Sequence, residues 1–181
     1  MKNGKRVTAI AVACALTFAG TAPAAAQTFM GGTPPECAIT MLIGDAHPAN
    51  KTGYVDDIQN VTLSGEDFRR VLYTGNHVQL VVMTMAPGEE AGPATRVDQD
   101  FFVRVEAGQG QVSIDGTVID ITANSGIIVP AGALYKLGNT GPGPMKLSMI
   151  YTSPPFASNS VRTTRSEADS MPDAFDGCTT E

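Results

Sequence analysis

From Phe68 to Tyr151 apolar and polar positions alternate with a period of two, interrupted only by turn residues. Successive side chains of a strand point to opposite faces, so this alternation predicts half-buried strands rather than helices. FRRVLYTG, beginning at Phe68, ends in a turn, and HVQLVVMTMA, from His77 to Ala86, is closed by Pro87-Gly88. Further on, QVSID and TVIDI flank Asp115-Gly116, a pair suited to the positive φ angles of a two-residue hairpin. Asn124-Ser125-Gly126 turns the chain into IIVP, Ala131-Gly132 turns it into ALYKL, and NTGPGP leads to the last strong strand, MKLSMIY. Pro154-Pro155 stops the pattern. Short strands with turns this regularly placed and no helical period predict an all-β fold, an antiparallel sandwich or closed barrel.

The flanks read differently. Lys2, Lys5 and Arg6 precede an apolar run over 7–18, followed by Gly20, Pro23 and the triplet Ala24-Ala25-Ala26. That is the form of a secretory signal peptide, with cleavage expected after Ala26 and a periplasmic or secreted destination. A lipoprotein reading through Cys14 is disfavoured, because Ala11 stands where a larger aliphatic residue is expected. No later stretch approaches the roughly 20 apolar residues of a membrane span. Residues 27–64 are punctuated by Gly31-Gly32, Pro34-Pro35 and His47-Pro48 and read as an N-terminal extension, with a short strand over 38–43 and a helical turn capped by Ser64. The expected organisation is signal 1–26, extension 27–64, β domain 65–155, and a polar Ser/Thr-rich C-terminal tail 156–181, packed along the barrel or partly ordered.

Charge and cysteines narrow the function. The chain has 12 Lys and Arg against 18 Asp and Glu; without the three basic residues of the signal, the balance is −9. An acidic surface lacking a basic cluster argues against nucleic acid and anionic membrane as partners. Beyond the signal only Cys37 and Cys178 remain, and in an oxidising compartment they are expected to pair as a disulfide. By the chain-entropy model such a long loop is worth up to about 5 kcal/mol. With no CxxC and only His47 and His77 for histidines, a structural zinc site is not expected.

Taken in order, FRRVLYTG, HVQLVVMTMAPGEEAG, DFFVRVEAGQGQVSIDG, IIVPAG and GNTGPGPMKLSMIYTSPP resemble the single-domain cupins described as similar to mannose-6-phosphate isomerase. The resemblance runs from about Phe68 to Ala168 and implies a cupin jelly-roll barrel with a pocket inside. It also implies two motifs, here from Pro87 to Gly110 and from Gly126 to Asn139. In such cupins the first motif supplies a carboxylate, a histidine and a Gln or Glu to a divalent metal, and the second supplies another histidine. Those four positions fall on Ala94, Arg96, Phe101 and Tyr135, while Gly92, Gly108, Gly110, Pro130, Gly132 and Asn139 keep the family pattern. Transition metals want three or four converging N, O or S donors. Alanine and phenylalanine offer none, a guanidinium repels a cation, and a phenol ligates only when deprotonated. Neither a metal nor another cofactor is therefore expected.

Period two places Ala94 with Arg96, Phe101 with Val103 and Val105, and Tyr135 with Leu137 on inward faces. Phe101 is either a plug or a wall of the cavity. Tyr135 is a core phenol with a satisfied hydroxyl, or a donor to a ligand. Arg96 pairs with Asp98 or Asp100, bends to solvent, or clamps a carboxylate or phosphate. Gln79, Met83 and Met85 line the opposite wall or pack as core, and His47 and His77 read as surface residues. The leading expectation is an exported, metal-free, non-catalytic protein that binds a small acidic or sugar-like ligand through Arg96, Phe101, Tyr135 and Gln79, or serves a structural role. The second is a metal-independent isomerase, epimerase or lyase with Tyr135 as acid and Asp98 or Asp100 as base. The third is an interaction module of the cell envelope, including pairing of two copies through their sheets.

Overall fold

In the computed structural model the described residues are 53–171 and 173–180. The signal peptide with its cut after Ala26, Cys14, the strand expected over 38–43, His47 and Cys37 lie outside them. The elements are α1 (Ile58–Ser64), β1 (Arg69–Thr74), β2 (Gln79–Met85), β3 (Glu90–Thr95), β4 (Phe101–Ala107) and β5 (Gln109–Ile114), followed by β6 (Thr117–Thr122), β7 (Gly126–Val129), β8 (Leu134–Asn139), β9 (Met145–Tyr151), β10 (Val161–Arg162) and α2 (Arg165–Ser170). They form a six-stranded sheet in the order β10-β1-β2-β9-β4-β7 and a four-stranded sheet in the order β3-β8-β5-β6. All pairings are antiparallel. The all-β expectation and the jelly-roll layering both hold.

The core lies between the sheets and is made by the positions that period two points inward. Val81, Met83 and Met85 of β2, Phe101, Val103 and Val105 of β4, and Met145, Leu147, Met149 and Tyr151 of β9 are all buried. Facing them are Val112 of β5 and Tyr135 and Leu137 of β8. At the β5–β6 hairpin Asp115 and Gly116 take φ of 47° and 82°, the doubly positive pair a tight turn of this hand requires.

Three local expectations change. The helix before β1 is not capped by Ser64; its N-cap is Asp57, whose carboxylate accepts from Asn60 N at 3.0 Å, and Ser64 is its last residue. The Asp57 side chain satisfies one of the amides that helix geometry leaves free, which fixes the start seven residues earlier. The helix α1 packs on β9, β4 and β2, which explains why Val82, an outward position, is buried with Thr62. Strand β3 carries no apolar alternation, yet Glu90–Thr95 pairs with β8 through a bulge between Ala91 and Ala94 and a cis Gly92–Pro93 bond. Gly92 is required there: a Cβ would stand 2.6 Å from Tyr135 O.

The chain after Pro155 is built into the barrel. Phe156 is buried, β10 pairs with β1 as the edge of the large sheet, and Thr164 caps α2 by accepting from Glu167 N. The Glu167 carboxylate accepts from Thr163 N and Oγ1, which lowers its pKa from the ordinary range. Near the end of the chain Thr180 N donates to Thr74 O at 2.8 Å, and Thr74 N donates to Thr180 Oγ1 at 2.7 Å.

Candidate functional site

Facing strands bring four rings together inside the barrel. Phe101 on β4 sits directly across from Tyr151 on β9, with centroids 5.1 Å apart in a near-parallel stack. Tyr135 of β8 meets Phe101 edge-on at 4.8 Å, and Phe156 meets Tyr151 edge-on at 5.7 Å. Offset and edge-to-face pairs of this kind add to plain apolar burial. Burial pushes the Tyr151 hydroxyl far above its ordinary pKa; Tyr135 adds to this, and Arg96 and Arg69 oppose it. Among the described residues its hydroxyl has only the sulfur of Met149, to which it donates at 3.6 Å.

Phe156 is held by its backbone. Gln79, wholly buried on β2, donates from Nε2 to Phe156 O at 2.8 Å and to Thr74 Oγ1 at 2.9 Å, and its Oε1 accepts from Phe156 N at 3.2 Å. Gln79 was expected to line a cavity or pack as core; its full burial fits the second, and its amide fastens the tail.

Two guanidiniums approach the Phe156 ring. Arg69 lies 3.8 Å from its centroid and is ion-paired with Asp173, which also faces Arg162 at 3.6 Å. Burial draws Arg69 below its ordinary pKa, against the pull of Asp173. Arg96, in the loop after β3, lies 5.4 Å from the Phe156 ring and 5.9 Å from that of Tyr151, within cation–π reach of both. Its carbonyl accepts from Gly132 N at 2.8 Å, tying the two motif loops together. Its Nε is buried without a hydrogen bond among the described residues.

The expected ion pair of Arg96 with Asp98 or Asp100 does not form among the described residues. Asp100 instead accepts from Ala131 N at 2.7 Å, and Asp98 is exposed. The loop geometry explains this, since Asp100 closes the first motif onto the turn of the second. Neither carboxylate is hydrogen-bonded to Tyr135, whose hydroxyl has no partner among the described residues. His77 is exposed, Met83 and Met85 are core, and Cys178 is buried.

Arg96, Phe101 and Tyr135 are thus brought to one aromatic cluster, and Ala94 lies beside Tyr135 in the β3–β8 register. That set does not fit a divalent metal: Phe101 and Ala94 supply no donor atom, the Tyr135 ring edge abuts Phe101, and Arg96 adds a positive charge. Among the described residues no three His, Cys, Asp or Glu side chains group as metal ligands.

Sequence reasoning passed over Arg69, Tyr151, Phe156, Asp173 and Gln99, whose Oε1 is also buried without a hydrogen bond among the described residues. Tyr151 was within reach, since period two from Leu147 and Met149 lands on it. Phe156, a lone aromatic after two prolines in a polar tail, was a weaker signal.

The model of the cupin domain matches residues 81–151. The crystal structure of BH2720 from Bacillus halodurans superposes with a TM-score of 0.66 at 30% identity, over 68% of this chain and 98% of that one. The chain belongs to the cupin family. This cupin is also 32% identical to the uncharacterized protein YrkC of Bacillus subtilis over 121 residues, 64% of this chain and 65% of YrkC. To the uncharacterized protein L612 of Acanthamoeba polyphaga mimivirus it is 31% identical over 104 residues, 55% of this chain and 64% of L612. The cupin spans a little under two thirds of the length of these two curated relatives. Among its described residues no helix is long and apolar enough to cross a membrane.

Proposed function

We propose that this cupin is exported, works without a metal, and binds a small acidic or sugar-like ligand at Arg96 and Tyr135 without transforming it. One observation carries the reading: Arg96 is half-buried against two aromatic rings, its Nε unpartnered, with no carboxylate in ion-pair reach among the described residues. A guanidinium taken partly from water without a counter-charge is costly, and two π faces recover only part of that cost. A bound anion or polar ligand would supply the rest, and the unpartnered hydroxyl of Tyr135 would add a donor. Phe101, wholly buried between Tyr135 and Tyr151, backs the site from the core, while Gln79, occupied by Phe156, drops out of the ligand set. Kinship with the cupins similar to mannose-6-phosphate isomerase, cleavage after Ala26, and a Cys37–Cys178 disulfide belong to the same proposal.

A ligand that binds the folded state raises its melting temperature. A thermal-shift panel of organic acids and sugars should therefore stabilise the wild type and leave Arg96→Met unmoved. Equal shifts in both proteins, or none in either, would overturn the reading. The catalytic alternative, with Tyr135 as acid and Asp98 or Asp100 as base, has less support, because no hydrogen bond brings either carboxylate to Tyr135.

The outer face of the large sheet favours a second reading, pairing of two copies. Leu80, Ile150, Phe102 and Ile128 are consecutive cross-strand partners on β2, β9, β4 and β7, and the last three are exposed. A continuous apolar row of this kind marks a contact surface more often than free surface. Sedimentation should show a dimer that Ile128→Asp dissociates; a wild type that sediments only as a monomer removes this reading.

A further inference from the structure

We infer that the free edge of β6 docks an extended strand of another protein, one that sets a lysine or arginine opposite Asp120.

Each sheet ends in two strands with one side unpaired among the described residues, and all of these edges but one are guarded. β10 is two residues long, β7 is four residues closed by Pro130, and β3 carries a bulge and the cis Gly92–Pro93 bond. Short strands, prolines and bulges are how sheets keep other strands off. β6 has none of these: its six residues pair with β5 in unbroken register, and Val118 and Ile119 are 60% and 51% exposed.

Register fixes which groups are open. A two-residue turn is flanked by a pair that exchanges both backbone bonds, here Ile114 and Thr117, and the bonding then alternates along the strands. Thr117, Ile119 and Ile121 are thus tied to β5, and Ala123 N continues the series by donating to Gly108 O at 3.1 Å. The N–H and C=O of Val118 and Asp120 point the other way and have no partner among the described residues. Thr122, next in that row, is closed by its own turn: its N–H donates to Ser125 Oγ at 3.0 Å, and its C=O accepts from Ser125 N at 2.9 Å. Open donors and acceptors at strand spacing are answered by a further strand.

Charge selects that strand. Asp120 is the charged residue of β6; it is exposed, and Oδ1 accepts from Gln111 Nε2 at 2.9 Å. Period two puts Val118 on the same face. A cation opposite Asp120 and an apolar residue opposite Val118 complete the cross-strand pairs. A second copy would instead bring another Asp120, from a chain with 18 acidic against 12 basic residues.

Amide hydrogen exchange of the full chain, read residue by residue, tests this with two end-blocked peptides, Thr-Thr-Lys-Ile-Val-Thr and the same peptide with glutamate for lysine. In the free chain the amides of Val118 and Asp120 should exchange fast and those of Ile119 and Ile121 slowly. The lysine peptide should slow Val118 and Asp120, and N-methylation of its lysine and valine should abolish the effect. The glutamate peptide should bind about fivefold more weakly, and Asp120→Lys, an exposed substitution, should reverse the order. No slowing by either peptide, or slowing that survives N-methylation, would overturn the docking edge. Equal or tighter binding of the glutamate peptide to the wild type would overturn the basic partner. Val118 and Asp120 already protected before peptide is added would mean that the chain covers its own edge or, where protection fades on dilution, that a second copy does; either result overturns the proposal.

Discussion

Arg69 and Arg96 both bring a guanidinium to the ring of Phe156, at 3.8 Å and 5.4 Å, yet among the described residues only Arg69 has a carboxylate. Arg69 stands on β1, under a tail that returns over the barrel and delivers Asp173. Arg96 stands in the loop joining β3 to β4, where the nearest acids in sequence turn elsewhere. On the proposed reading, the same side chain serves two purposes within one cluster. A buried cation with a carboxylate beside it is part of the architecture; one without is, on the proposed reading, open to an anion from another molecule.

That contrast can be broken from either end. The largest effect belongs to the paired arginine: Asp173→Ala leaves Arg69 buried without its carboxylate and should cost about 3–5 kcal/mol in urea unfolding. A loss below about 1 kcal/mol would mean that Arg69 escapes to water and the two arginines do not differ in kind. Next comes the fastening of Phe156. Gln79→Leu keeps volume but strands the N–H and C=O of Phe156, and about 2–3 kcal/mol should go, with the tail becoming sensitive to protease before the barrel does.

The phenol between the arginines gives a pH signature. Tyr151 titrates higher in the folded chain than in the unfolded one, so its contribution is complete below the unfolded pKa of about 10 and is lost as pH rises beyond it. Denaturation midpoints should fall above that pH by up to about 1.4 kcal/mol per unit from this group, and Tyr151→Phe should flatten that part of the curve. The smallest effect belongs to the unpaired arginine. Arg96→Met, an apolar replacement for a charge lacking a partner, should change stability by less than about 1 kcal/mol in either direction. A loss as large as that of Asp173→Ala would make Arg96 structural and erase the contrast.

What could be read beforehand follows from how each residue acquires its role. Phe101, Val103, Val105, Tyr135 and Leu137 are inward because alternation is a local property of a strand, and all five are buried. The Asp115-Gly116 turn is equally local. Strand β3 was not predicted, since Gly92-Pro93 and a bulge erase its alternation. The missing half of the site is non-local. Period two indicates that one of Arg69 and Arg70 points inward, but the carboxylate that makes this tolerable is 104 residues away. In the tail, Phe156, Cys178 and the side chain of Asp173 are buried one at a time among polar neighbours, so no period announces them. Arg96 was legible as the odd cation of the motif, whereas its lack of a partner depended on Asp100 turning to Ala131.

The returning tail has a practical consequence for how the molecule is divided. A fragment cut where the family match ends, at Tyr151, would contain both motifs and look complete by sequence. It would lack Phe156, Asp173 and Thr180, leaving the Arg69 charge, the Gln79 amide and the backbone N–H of Thr74 stranded. Expressed fragments, domain grafts and library boundaries for this protein should therefore run through Thr180: the smallest piece that can be expected to fold is longer than the piece that is recognisable.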